Sequence, residues 1–282
     1  MTILDQRTRP AAAAPAPGSP RRFLMCRPTY FDVVYRINPW MDPAVAVDRD
    51  RALSQWTAVR ETYEHLGHTV ELIEPQPGLP DMVFAANGGF VVGDTALVAR
   101  FRHGERRPET ARFRQWFVER GYADVRVATA LNEGEGDLLL ADDVILAGTG
   151  WRSSRRARQE VAARFARPVV GLHLVDPRFY HLDTALAMLG GGRVAYYPEA
   201  FRADSRALLE RRFPDAVTVG AADACAFGLN VTSDGHNVVV PAGASGVIRR
   251  LAGEGFAVHP VDVSELIKAG GAVKCTTLEL HP

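Results

Sequence analysis

The chain has 282 residues, 47% hydrophobic and 23% charged, with 33 basic against 33 acidic side chains. Such a composition fills the core of a globular protein, and zero net charge removes the electrostatic case for nucleic acid or an anionic membrane as the main partner. The cysteines Cys26, Cys225 and Cys275 have no metal-type spacing and predict a reduced, cytoplasmic setting.

Residues 1–20 are rich in Ala and Pro and predict a disordered leader without the apolar stretch of a secretory signal. No segment reaches the roughly 18 consecutive apolar residues of a membrane span. Beyond the leader a unit recurs every roughly 45–50 residues, the range of propellers and solenoids. Each unit holds an amphipathic helix, a strand and a hairpin. The first helix is predicted over residues 45–66, with Leu53, Trp56, Val59, Tyr63 and Leu66 on one face. Strand 68–72 and hairpin 90–98 follow it. The second unit is helix 109–120, strand 123–127 and hairpin 138–146; the third is helix 153–166, strand 168–172 and hairpin 185–197. The fourth is helix 202–212, strand 216–219 and hairpin 230–240, and the fifth is helix 243–254 and strand 256–259. Gly and Asp at the tips supply the positive φ of tight hairpins. A fifth hairpin is predicted from residues 22–26 pairing with 276–280, which removes a weak seam. The expectation is one α/β domain over residues 21–282, with five repeats around an axis.

The residue leading into each hairpin falls at the same place in every repeat: Asn87, Glu133, His181, Asn230 and finally Cys275. Cys275 follows a Gly-Gly-Ala-Val-Lys segment and is expected to open the last strand, with Lys274 favouring its thiolate. Cysteine, histidine and acids brought together from distant positions make a candidate nucleophilic site. Glu133 and Asp183 suit a guanidinium, whose N–H groups carboxylates bind in pairs. His181 would protonate the departing amine and then activate water. Each residue alone has a plainer reading. A single Cys is usually a small buried apolar residue, His181 a structural histidine, and Glu133, Glu135, Asp137, Asp183 and Asn87 turn residues. Their recurrence at equivalent places favours function. Gly190, Gly191 and Gly192 lack phosphate-loop spacing, and His65 and His68 lack matching ligands, so neither a cofactor nor a metal is proposed. The run Arg152-Ser153-Ser154-Arg155-Arg156 reads as a solvated basic face apart from Arg152.

Arg27-Pro28, Ile37-Asn38-Pro39-Trp40-Met41, Val83-Phe84-Ala85-Ala86-Asn87, Glu133-Gly134-Glu135-Gly136-Asp137, His181-Leu182-Asp183 and the Cys275 segment together carry a family resemblance. The chain resembles the guanidine-modifying enzymes of the pentein, or amidinotransferase, superfamily. These include arginine deiminases, dimethylarginine dimethylaminohydrolases, arginine dihydrolases and amidinotransferases. The resemblance implies a five-bladed α/β propeller, a Cys–His pair, a covalent amidino-cysteine intermediate, and neither metal nor organic cofactor. By motif it implies Cys275 as nucleophile, His181 as acid/base, and Glu133 and Asp183 on the guanidinium. Arg106 and Arg152 would hold the substrate α-carboxylate, and Asn38 and Asn87 would line the pocket. Many relatives have an acid-Gly-Gly-Asp run, one residue shorter than the run here, so Glu133 and Glu135 both stand as candidates, Glu133 being favoured. Asn87 stands where deiminases and many dimethylargininases carry an acid, and in this the chain is similar to the arginine dihydrolases. The segment Cys26-Arg27-Pro28-Thr29-Tyr30-Phe31-Asp32 is similar to bacterial dimethylargininases. The implied activity is hydrolysis of a guanidinium C–N bond in methylated arginine or arginine, giving citrulline plus amine or ammonia. Its alternatives are an arginine deiminase or dihydrolase, an amidinotransferase and a non-catalytic binding protein of the same shape. A small-molecule partner is expected, and a homo-oligomer is left open.

Overall fold

Five three-stranded sheets carry the fold in the computed structural model, which describes residues 18–282. The expected leader lies, through residue 17, outside the described residues. Strand β1 (Arg22–Cys26) leads through helix α1 (Arg49–His65) to β2 (Thr69–Ile73), paired parallel from Arg22↔Thr69 to Cys26↔Ile73. The same strand–helix–strand crossover then recurs, each time preceded by a hairpin. Hairpin β3 (Gly89–Val92)–β4 (Thr95–Val98) continues into α2 (Glu109–Glu119) and β5 (Asp124–Val127). Next come β6 (Leu138–Ala141), β7 (Val144–Thr149), α3 (Ala157–Phe165) and β8 (Val169–His173). The fourth sheet is β9 (Leu186–Gly190), β10 (Arg193–Tyr196) and, past α4 (Ala203–Arg212), β11 (Val217–Thr218). Beyond the short α5 (Ala221–Cys225) lie β12 (Thr232–Ser233), β13 (Asn237–Pro241), α6 (Ser245–Gly253) and β14 (Ala257–Val261). A short α7 (Ser264–Ile267) precedes β15 (Leu278–Glu279), which pairs antiparallel with β1 at Phe23↔Glu279 and Leu24↔Leu278. The first and last strands thus share a sheet, as the sequence predicts.

Three of the five crossover helices end by a shared device. After α1, α2 and α6 a glycine adopts positive φ (Gly67 84°, Gly121 80°, Gly255 90°). The next amide then bonds back to the helix, His68 to Tyr63, Tyr122 to Phe117 and Phe256 to Leu251. This Schellman closure satisfies the last carbonyls and turns the chain into the parallel strand. At its other end α1 is capped by Asp48, whose carboxylate accepts from the Arg51 amide at 3.0 Å. Its buried face is Ala52, Gln55, Trp56, Val59 and Tyr63. Leu53, expected inside, is exposed, because the core side of the helix passes through its neighbour Ala52. Trp56, Val59 and Tyr63 are fully buried, each worth about 1.5–3 kcal/mol in apolar transfer.

Two further expectations are corrected. Helix α3 starts at Ala157 rather than 153, because the Ser153 amide donates to Asp137 and the Ser154 amide to Leu131. Cys275 does not open a strand but lies in a turn over residues 273–276, where the Thr276 amide bonds the Ala272 carbonyl. Among the described residues no helix is long and apolar enough to cross a membrane.

Candidate active site

The five hairpin lead-ins meet, and hydrogen bonds join them in a closed circuit. Asn87 Nδ2 donates to the Glu133 carbonyl at 3.5 Å, and Glu133 Oε2 lies 2.8 Å from His181 Nε2. Asn230 Nδ2 donates to the Asp183 carbonyl at 3.2 Å and to Cys275 Sγ at 3.1 Å. The Cys275 carbonyl accepts from the Ala86 amide at 3.1 Å, which returns to the first lead-in. Single-turn 3-10 segments at residues 85–88, 134–136 and 182–184 make the approach tight. Glycine is required there. Gly134 sits at φ 57°, and a Cβ on it would stand 2.5 Å from the Gly89 carbonyl oxygen. A Cβ on Gly136 would collide with Asn87 Nδ2 and crowd the His181 ring.

Cys275, His181, Glu133 and Asp183 are all at most 2% exposed. The Cys275 amide donates to Asn230 Oδ1 at 3.0 Å, and its thiol donates to Asp183 Oδ2 at 3.3 Å. Burial and the adjacent Asp183 charge push the thiol well above its ordinary range, so it rests protonated. Burial likewise pushes Asp183 up to about 7. Lys274, expected to favour the thiolate, instead donates to Glu135 Oε2 at 2.6 Å and to the Thr277 carbonyl at 2.9 Å.

Glu133 and Glu135 face different partners. Glu133 accepts from Arg152 Nη1 at 2.9 Å and from the Arg102 amide at 3.0 Å, besides meeting His181. Burial opposes its ionisation, but Arg152 and the His181 bond overcome this and hold the carboxyl well below the usual range. An ionised Glu133 fixes His181 with Nε2 as donor, which leaves Nδ1, buried and without a partner among the described residues, as the ring atom free to exchange a proton. Glu135 accepts from Lys274, from the Glu279 amide at 2.7 Å and from His281 Nε2 at 2.9 Å. A cavity of about 210 Å³ lined by Glu135, Lys274, Glu279 and His281 touches none of Cys275, His181, Glu133 or Asp183.

The other predicted residues fall around this centre. Arg106 grips Glu109 through Nε and Nη2, both at 2.8 Å, and gives Nη1 to Asn87 Oδ1 at 2.7 Å. With a fourth bond to the Asp81 carbonyl, nearly all of its five N–H groups are engaged. Among the described residues the Arg152 guanidinium bonds only Glu133 and the Ile37 carbonyl, and it lies 4.7 Å from the Tyr180 ring centroid. Asn38 sits at the rim, donating to the Ala269 carbonyl at 3.0 Å and accepting from the Trp40 amide at 2.9 Å.

Sequence reasoning assigned no role to Asn230 or Asp81. Asn230 positions both the thiol and the amide of Cys275, and its place among the lead-ins was the signal. Asp81 is buried, with Oδ1 unpartnered among the described residues and Oδ2 accepting from the Tyr35 hydroxyl at 3.0 Å and lying 3.9 Å from Arg106 Nε. Its signal was a lone acid inside the apolar run Leu79-Pro80-Asp81-Met82-Val83-Phe84.

His281 gives a stability prediction. Burial lowers its pKa, but Glu279 and Glu135 raise it further, to about 9. Its contribution is therefore complete below its unfolded value near 6.5 and is lost as pH rises to about 9, at most about 3 kcal/mol. Urea unfolding across this range should show a falling stability that His281→Gln flattens; equal slopes in the two proteins would remove the ion pairs from the account.

A family model described as N,N dimethylarginine dimethylhydrolase, eukaryotic, matches residues 37–282. The dimethylarginine dimethylaminohydrolase of Mycobacterium tuberculosis is 52% identical over 271 residues, 95% of this chain and 89% of that one. The bifunctional arginine dihydrolase/ornithine cyclodeaminase AgrE of Nostoc is 40% identical over 92% of this chain, which spans 38% of AgrE. Among solved structures, the N-terminal domain of ArgZ, a cyanobacterial arginine dihydrolase bound to substrate, superposes with a TM-score of 0.89 at 37% identity, covering 93% of this chain and 98% of that one. The mixed α/β fold of small sheets and these relatives place the chain in the pentein class. Within it, the chain belongs to the dimethylarginine dimethylaminohydrolase family.

Proposed function

We propose that this protein hydrolyses a guanidinium C–N bond in methylated arginine or arginine, in the manner of a dimethylargininase, through an amidino-cysteine intermediate. The products are citrulline and an amine or ammonia. The observation that carries this reading is a set of buried polar atoms without a partner among the described residues: Asp183 Oδ1, His181 Nδ1 and Asp81 Oδ1. Tyr180 links them: its ring centroid lies 4.8 Å from that of His181, and burial, with Cys275, Asp183 and Asp81 in its neighbourhood, pushes its hydroxyl well above the ordinary range. Two lone carboxylate oxygens suit the two cationic ends of an arginine, the guanidinium at Asp183 and the α-ammonium at Asp81. The α-carboxylate falls to Arg152, most of whose N–H groups have no partner among the described residues, while Arg106, largely engaged with Glu109 and Asn87, supports the pocket wall. Asn87 and Asn38 line the pocket.

The entering guanidinium takes Asp183 from the thiol and brings positive charge to the sulfur; both changes lower the thiol pKa. The thiol proton passes to His181 Nδ1, and the thiolate attacks the guanidinium carbon. Protonation of the departing nitrogen by Nδ1 lets the C–N bond break. The now neutral Nδ1 takes a proton from water as that water attacks the same carbon. Breaking of the C–S bond then frees citrulline, and the departing thiolate takes the proton back from Nδ1, restoring the resting thiol. Ionised Glu133 stabilises the imidazolium in both halves.

The five sheets are proposed to be blades of one α/β propeller over residues 21–282, a reading supported by their identical construction and by the circuit of lead-ins. A cytoplasmic setting fits three cysteines that are all free. A second reading, hydrolysis of plain arginine on to ornithine, is favoured by Asn87, an amide packed against Gly136 beside His181, and by the likeness to ArgZ and AgrE. Mass spectrometry of products from arginine and from asymmetric dimethylarginine separates the two. Citrulline from the methylated substrate alone is the expected result, ornithine from arginine selects the second reading, and no product from either removes both. A cationic haloacetamidine should label Cys275 about 100-fold faster at pH 7 than neutral iodoacetamide, because only the former brings charge to the thiol.

A further inference from the structure

The basic run noted at Arg152–Arg156 contributes to a second concave site. Arg155, Arg158 on α3, Arg202 and Arg211 flanking and on α4, and His173 at the end of β8 line a groove of about 340 Å³. Asp204 is the carboxylate among the lining residues, so the groove carries +3 with His173 neutral. Burial, Arg202 and Arg155 all push His173 below its ordinary range, which keeps it neutral near pH 7. Asp204 is held by Arg202 through bonds of 2.9 and 2.6 Å. Among the described residues Arg155, Arg158 and Arg211 make no ion pair, although Arg158 Nε donates to the Arg155 carbonyl at 3.4 Å. Clustered cations without counter-charges repel one another, a cost that a bound anion reverses.

The groove is also shaped. The guanidinium of Arg158 lies on strand β8 in the space that a Cβ on Gly171 would fill. Thr149 Oγ1 and Ser205 Oγ tie the same strand end, at 3.4 Å to His173 Nδ1 and 3.0 Å to the His173 amide. Guanidinium forks take phosphate oxygens in pairs; with the Arg202 fork on Asp204, those of Arg155, Arg158 and Arg211 face the groove, more than one phosphate group satisfies. We propose that this groove binds a small molecule carrying a chain of two or three phosphates. A nucleic acid is disfavoured by the zero net charge of the whole chain and the small volume of the groove.

The test is calorimetric titration of the full chain with inorganic tripolyphosphate at about 0.15 M salt, where non-specific attraction is screened. Saturable one-to-one binding is expected. The double variant Arg155→Ala/Arg211→Ala should weaken it at least about tenfold. Gly171→Ala should also weaken it severalfold, because it keeps every charge but displaces Arg158. Turnover and thermal unfolding of these variants, which lie outside the Cys275 site, should match the parent. Absence of saturable binding, unchanged affinity in either variant, or equally tight binding of sulfate or of a single-stranded oligonucleotide overturns the proposal.

Discussion

Cys275→Ser is expected to lower kcat by about 10⁴-fold or more while leaving the folded state intact. The serine hydroxyl has nearly the shape of the thiol. It can still donate to Asp183 Oδ2 and accept from Asn230 Nδ2, so stability should change by less than about 1 kcal/mol. What disappears is the nucleophile, because an approaching guanidinium cannot bring a hydroxyl to its anion at neutral pH. Substrate affinity should persist, since Asp183 Oδ1 and Asp81 Oδ1 keep their places. Turnover assays with arginine and asymmetric dimethylarginine, together with calorimetric binding of each, give the comparison. Full turnover in the variant would sink the covalent mechanism. Lost binding with an intact fold would instead assign Cys275 to recognition.

Arg106→Met is expected to cost about 3–5 kcal/mol in unfolding free energy. Arg106 is 3% exposed and is the bidentate partner of Glu109, itself fully buried. Even with Arg106 present, burial pushes the Glu109 carboxyl up to about 7, and burial raises Asp81 as well. Without the guanidinium both acids must become neutral or draw in water. A carboxyl whose folded pKa exceeds its unfolded value contributes stability at low pH and loses it as pH rises through the folded value. The deficit of the variant should therefore shrink toward pH 5 and grow above pH 7. Arg106→Met/Glu109→Leu should recover much of the loss, because paired removal leaves no stranded charge. Urea unfolding at several pH values reads all three. An unchanged midpoint in the single variant would mean that the buried pair contributes nothing.

The repeating elements are legible in the residues alone. Helix faces such as Trp56, Val59 and Tyr63, glycines after the crossover helices, and tight hairpin tips are local signals, since periodicity and positive φ are written residue by residue. Which residues meet is legible there too, because Asn87, Glu133, His181, Asn230 and Cys275 hold equivalent places in a repeat. Helix α3 and the turn at Cys275 departed from expectation where backbone amides bond partners remote in the chain, Asp137 for Ser153 and Asn230 for Cys275. Local propensity cannot register such bonds. Partner choice within the gathered charges was likewise tertiary. Lys274 lies beside Cys275 in sequence, yet it bonds Glu135 from a different repeat, and Glu135 and Glu133, two residues apart, diverge to His281 and His181. Which buried charge is paired, and which oxygen is left open for a ligand, depends on distances of a few ångströms between segments far apart in the chain, 48 residues for Glu133 and His181 and 139 for Glu135 and Lys274. Only the folded chain sets those distances.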